Sequence, residues 1–236
     1  MSRNRALVAA LVAVLIYLVL RRHVISGTDA LFYAVLVPSI ILHEVSHGAV
    51  ALAFGDDTAQ RAGRLTLNPI SHIDLFGTII LPAMLVLTTG RAFGYAKPVP
   101  VNVTRLRSPR NQGLVVSLAG PAVNIVIAVL SALALRFVAP PGVLNALGFE
   151  GGPVGWRLVF LAGYANVLLA AFNLIPIPPL DGSAVVERLL PRSWWPGYLQ
   201  LRQYALGLVL LLVLLVPSAL NRVFDPALHL WARLLT

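Results

Sequence analysis

The sequence has no cysteine and a single lysine, Lys97, and only 11% of its 236 residues are charged. Without cysteine there is no disulfide framework and no thiolate metal site, so any transition metal has to be held by histidine and carboxylate. The shortage of charge excludes more. A soluble domain carries about 25% charged residues and about 45–50% apolar ones, whereas 58% of this chain is hydrophobic. It has too little polar surface to coat a water-soluble globule, and the composition predicts a multi-pass protein embedded in a lipid bilayer. Acidic residues are scarce as well, 9 against 18 basic, for a net charge of +9. In a soluble protein that balance would point to nucleic acid. Here the arginines bracket apolar runs, where they meet lipid headgroups and set topology, so nucleic acid is set aside.

What is present is a series of apolar stretches separated by short loops. Ala6 to Leu20 lies between Arg3/Arg5 and Arg21/Arg22. No small-residue cleavage site follows it, so it reads as a retained membrane helix rather than a signal peptide. A second run, about Ala30 to Gly55, is long enough to span, and so are Asn111 to Leu135, Leu158 to Leu180 and Gln203 to Asn221. Leu75 to Gly90 is short and broken by Pro82; it is either a short span or a re-entrant hairpin. The distribution of basic residues favours re-entry, with the N-terminus and residues 56–110 on the cytoplasmic side. Arg64 to Pro69 suggests a short strand ending in a turn, and the alternating prolines of Tyr95 to Asn102 exclude helix, leaving a surface loop or an edge strand. The tail carries a short interfacial helical turn around Leu228 to Leu234. The expected fold is an all-α polytopic membrane protein of about five or six transmembrane helices. A short membrane-associated β-hairpin or re-entrant segment is expected after the second helix. A single domain covers residues 1–236, with its core at about 30–190, an N-terminal helix in 1–29 and a C-terminal helix and tail in 191–236.

The second run contains His43-Glu44-Val45-Ser46-His47, an H-E-x-x-H pattern at membrane depth. Residues four apart share a helical face, so both imidazoles can reach one Zn²⁺, while Glu44 can hydrogen-bond a water beside it. Ionisable groups in hydrocarbon are costly and by default mark function. A catalytic zinc needs a third protein ligand. Asp181 stands apart from the other carboxylates because it closes an apolar run after Pro176-Ile177-Pro178-Pro179-Leu180, where extended backbone would hold it still and Gly182 permits a tight turn. It is equally suited to cap a helix over 182–190, and spacing alone leaves both roles open.

Several separated blocks resemble the site-2 proteases, polytopic intramembrane zinc metalloproteases, and in particular their compact prokaryotic branch without a PDZ domain. They are His43 to Gly48, Gly63 to Pro69 with His72-Ile73-Asp74, Gly94 to Asn102, Ser117 to Pro121 with Asn124, and Asn173 to Pro176 through Leu180-Asp181-Gly182. The resemblance implies that His43, His47 and Asp181 bind Zn²⁺ and that Glu44 is the general base. Asn173 matches the family's motif asparagine and either holds the unwound substrate backbone or oxyanion or makes an ordinary inter-helix hydrogen bond. His72 either approaches the metal and water entrance or, the reading favoured here, fixes a loop through Asp74 or a backbone carbonyl. Asn124 is a further candidate near the substrate, although with Gly120-Pro121 it more readily serves helix packing. The implied substrate is a single-pass membrane protein whose helix unwinds locally, because an intact helix hides its carbonyls. The high Arg and Ala content and the compact architecture suit a prokaryotic plasma membrane. Two other readings remain: a cation transporter or channel using the same His/Asp cluster, and a catalytically silent scaffold. Glu44 discriminates, since hydrolysis needs a base beside the first ligand and transport does not.

Overall fold

The computed structural model describes residues 27–81, 96–146, 151–194 and 217–236, with scattered positions between 197 and 211. The described elements are all helical: α1 Gly27–Ala53, α2 Thr58–Arg61, α3 Pro109–Phe137, α4 Val143–Ala146, α5 Val154–Asn173, α6 Ser183–Leu189 and α7 Pro217–Ala232, with short 3₁₀ and π turns between them. Three of these, α1, α3 and α5, are long and apolar enough to cross a membrane. Their 27, 29 and 20 residues compare with the roughly 20 that a hydrocarbon core of about 30 Å requires. The N-terminal run Ala6 to Leu20, residues 82–90 of the run Leu75 to Gly90, and about half of Gln203 to Asn221 lie outside the described residues.

The three long helices pack on one another, α3 most extensively against α5 and α1 against both. The faces where they meet are lined by small and polar residues, among them Gly120, Pro121, Asn124, Ala128, Ser131 and Ala132 of α3 and Gly163, Ala165 and Asn166 of α5. Small side chains allow close approach where lipid removes the ordinary hydrophobic drive for helix association. Pro109 opens α3 at a position where its missing N–H costs nothing, and Gln112 Oε1 accepts the Ser108 amide at 2.8 Å. Helix α7 seals one end of the bundle. Its Trp231 is buried over Gly163 and donates Nε1–H to Ala128 O at 2.8 Å.

The strand expected over Arg64 to Pro69 is not formed. Residues 65–66 bend, Asn68 Oδ1 accepts the Ile70 amide at 3.0 Å, and a 3₁₀ turn, Pro69–His72, follows. The nearby 96–102 segment is extended but builds no ladder either; there is no strand among the described residues. Pro98 and Pro100 remove two of its donors, and side chains hold it instead. Arg64 Nη2 donates to Lys97 O at 2.6 Å, and the Lys97 amide donates to His72 O at 2.9 Å. The Asn102 amide donates to Asp56 Oδ2 at 2.6 Å. Asp56 is fully buried. Burial by itself would raise its pKa, but the Thr58 hydroxyl, the amides of Asn102 and Thr58 and the charge of Arg105 hold it below the ordinary value of 3.8. The interfacial turn expected around Leu228 to Leu234 is the end of the longer helix α7, which begins at Pro217.

Candidate metal centre

Helix α1 places His43 and His47 one turn apart on its buried side, with ring centroids 4.8 Å apart and planes at 84°. The loop after α5 brings a third group to them. Its fold depends on a close approach: the Gly182 amide donates to Asn173 O at 2.7 Å, and a Cβ at 182 would strike the carbonyls of Leu174 and Ile175. Gly182 therefore serves packing; its φ of −59° is one any residue adopts. The turn sets Asp181 Oδ2 at 3.1 Å from His43 Nε2 and 3.4 Å from His47 Nε2. No side chain caps α6, which leaves the alternative role of Asp181 as its N-cap unfilled.

These three residues form a group whose ligand atoms lie within 4.8 Å of one another and could hold a metal ion. The outward nitrogens show why a cation fits. His47 Nδ1 lies 2.7 Å from Val116 O and His43 Nδ1 lies 2.6 Å from Asn124 Oδ1. A carbonyl oxygen only accepts, so the proton of each neutral ring sits on Nδ1 and each Nε2 turns a lone pair inward. Asp181 Oδ2 is buried among them without a hydrogen bond of adequate geometry, despite its ion-pair distances. Three electron pairs thus converge with no proton between them, which suits two imidazoles and a carboxylate around Zn²⁺. Gly120 completes the cradle: a Cβ there would come within 2.5 Å of His43 Cε1 and His47 Nε2.

Glu44 is half-buried beside this group, and its Oε2 accepts the Val99 amide at 2.8 Å. Val99 carries the one amide between Pro98 and Pro100, and that amide goes to the carboxylate. Contact with α1 is close, because a Cβ at Gly48 would meet Leu65 Cδ2 at 2.6 Å and Val99 Cγ1 at 2.9 Å. The other candidates fall differently. His72 is buried and lies outside the converging group; its Nε2 donates to Thr66 O at 2.9 Å and its carbonyl receives Lys97. Asn173 gives its side-chain amide to Leu169 O within its own helix at 2.9 Å. Asn124 contacts His43 directly and is fully buried. Sequence reasoning did not single out Asn166, Val116 or Val99 for the site. For Asn166 there was a signal, an amide inside a charge-free apolar run.

Two inward imidazoles one turn apart on a helix long and apolar enough to cross a membrane, a carboxylate next to the first of them, and an aspartate from the loop after another such helix make a donor set of the H-E-x-x-H metallopeptidase type. Sequence comparison agrees: the family model described as Peptidase family M50 matches residues 31–216. The chain belongs to this family, the site-2 proteases. It is similar to YwhC of Bacillus subtilis, 39% identical over 194 residues that cover 82% of this chain and 84% of that protein. It is also similar to Rip2 of Mycolicibacterium smegmatis, 31% identical over 84% of this chain and 71% of the relative. Both carry the name zinc metalloprotease provisionally, and MJ0392 of Methanocaldococcus jannaschii, 23% identical over 81% of this chain and 44% of its own length, carries it outright. No solved structure matches the chain.

Proposed function

We propose that the chain hydrolyses peptide bonds within or near the transmembrane helices of single-pass membrane proteins, with zinc held by His43, His47 and Asp181 and with Glu44 as the general base. As a member of the M50 family the chain is a zinc metalloprotease. The observation that carries the finer reading is the convergence of two Nε2 atoms and Asp181 Oδ2 next to a carboxylate held by a backbone amide. Zinc bound there supplies Lewis acidity, which makes water a nucleophile near neutral pH and polarises a carbonyl. Glu44 does the proton work. Its Oε2 is oriented by Val99, its Oε1 takes the proton of the attacking water, and the carboxyl then returns that proton to the leaving amine. Asn124 positions His43, while Asn173 and His72 tie the helix end and the loop that flank the site.

Placement on spanning helices directs this chemistry to membrane-borne substrates. A substrate helix has to unwind before a carbonyl is exposed to attack. With the apolar runs outside the described residues, the bundle reaches about five or six spans and forms one domain, in the plasma membrane of a prokaryote on this reading. The first test is the zinc content of detergent-purified protein. Wild type is expected to hold about one zinc per chain, lost in His47→Ala and Asp181→Ala. Retention of zinc in both variants would overturn the ligand set. Cleavage of a single-pass substrate by wild type, but not by zinc-loaded Glu44→Gln, then separates hydrolysis from cation transport.

A further inference from the structure

Behind His43 the buried polar groups form one line across three helices, and its direction can be worked out from its far end. Ser39 Oγ donates to Val35 O at 2.7 Å, so its proton is committed and its oxygen has to receive. Asn166, fully buried, sends Nδ2 to Ser39 Oγ at 2.8 Å and to Ala162 O at 2.8 Å. Only an NH₂ can donate twice, and Ala162 O can only accept, so the amide is fixed with Oδ1 toward Asn124. Asn124 consequently donates Nδ2 to Asn166 Oδ1 at 2.7 Å and turns its own Oδ1 to His43 Nδ1. His47 needs no such support, because its acceptor is the main-chain carbonyl of Val116. The partner of His43 is an amide, which can flip. A flipped Asn124 would offer N–H to Nδ1, move the imidazole proton to Nε2 and remove the lone pair that faces Asp181.

We infer that Asn166, braced by Ser39, is a positioning residue that fixes the orientation of Asn124 and through it the metal-binding tautomer of His43. The inference rests on the proposed ligand role of His43. Outer-shell partners of metal-bound histidines are worth about 10–100-fold in metal affinity. Asn124→Leu is expected to weaken zinc binding by about that factor, and Asn166→Leu, one bond further out, by about tenfold. If Asn166 acts through Asn124, the double variant binds zinc no more weakly than Asn124→Leu alone.

The experiment is chelator competition for zinc, with the visible spectrum of the Co²⁺-loaded protein, on wild type and these variants in detergent, alongside thermal unfolding without metal. Weakened zinc binding, an altered Co²⁺ spectrum and a non-additive double variant are the expected result. Wild-type affinity and spectrum in folded Asn166→Leu, with only its melting temperature lowered, would overturn the inference. So would losses that add in the double variant. Should Asn166→Leu not fold, the smaller Asn166→Ala decides: a loss of about tenfold supports the inference, and unchanged affinity overturns it. His47→Ala and Asp181→Ala are measured in parallel. Zinc retained in those two overturns the ligand reading itself; zinc lost there but unchanged in Asn166→Leu overturns this inference alone.

Discussion

Replacing Gly120 with alanine puts one methyl group where the two imidazoles meet α3. An ideal Cβ there lies 2.5 Å from both His43 Cε1 and His47 Nε2, while ordinary contact begins at 3.4 Å, so about 0.9 Å has to be opened. The rings cannot turn aside without breaking their Nδ1 contacts of 2.6 and 2.7 Å. Helix α3 cannot retreat freely because α1 and α5 both pack on it. Overpacking of this kind costs about 1–3 kcal/mol, partly offset by the gain of about 1 kcal/mol that alanine has over glycine in a helix. Folding should therefore survive. The metal site should not, since ligand atoms have to hold their distances to about 0.2 Å. Elemental analysis of the purified variant is expected to find zinc reduced to below about a tenth of an equivalent, with a melting temperature near that of wild type. Gly113→Ala is the control on the same helix, because its Cβ would meet only Val103 Cγ1 at 3.9 Å, and it should keep its zinc. A folded Gly120→Ala protein with wild-type zinc content would refute the cradle.

Other consequences are as direct. Glu44→Gln should keep its zinc and lose about 10²–10⁴ in cleavage rate, read from single-pass substrate turnover in detergent; retained activity would remove Glu44 from the base role. Trp231→Ala should destabilise the bundle by about 3–5 kcal/mol through the cavity left over Gly163, while metal-loaded folded protein keeps its stoichiometry; a shift in stoichiometry would link α7 to the site. Asp56→Asn should cost about 1–3 kcal/mol near neutral pH. Because the folded-state pKa of Asp56 lies below 3.8, its contribution is complete above that value and disappears as pH falls through the folded-state pKa. Thermal unfolding from pH 7 downward should show the two proteins converging in acid, and a constant difference would contradict the reading.

The candidate site was legible in the sequence to the extent that its geometry is local. Histidines four apart in an apolar run share a face whatever surrounds them, and α1 shows them doing so. Asp181 carries no local sign of this kind, because a carboxylate before Gly-Ser suits a helix cap as well as a ligand. Its place beside both imidazoles depends on how Gly182 folds back on Asn173 O. Arg64 to Pro69 misled because apolar and polar residues alternate there as in a strand. A strand also needs a ladder partner, and the neighbouring residues 96–102 lose two donors to Pro98 and Pro100 and give the amides of Lys97, Val99 and Asn102 to His72 O, Glu44 and Asp56. Asn166 was illegible for a further reason. An amide in a spanning helix announces a hydrogen bond but not its partner, and the meaning of this one depends on a serine 127 residues earlier.

The distances in sequence between these partners bear on when such an enzyme becomes dangerous to its neighbours. A nascent chain inserted only as far as α1 already displays the whole H-E-x-x-H pattern. Yet Glu44 waits for an amide 55 residues later, and the amide that orients His43 lies 81 residues on. Asp181 emerges later still. On the proposed reading, the motif is chemically silent during synthesis, and hydrolytic competence arrives only with the loop that follows α5, so that the half-assembled chain the cell passes through is inert.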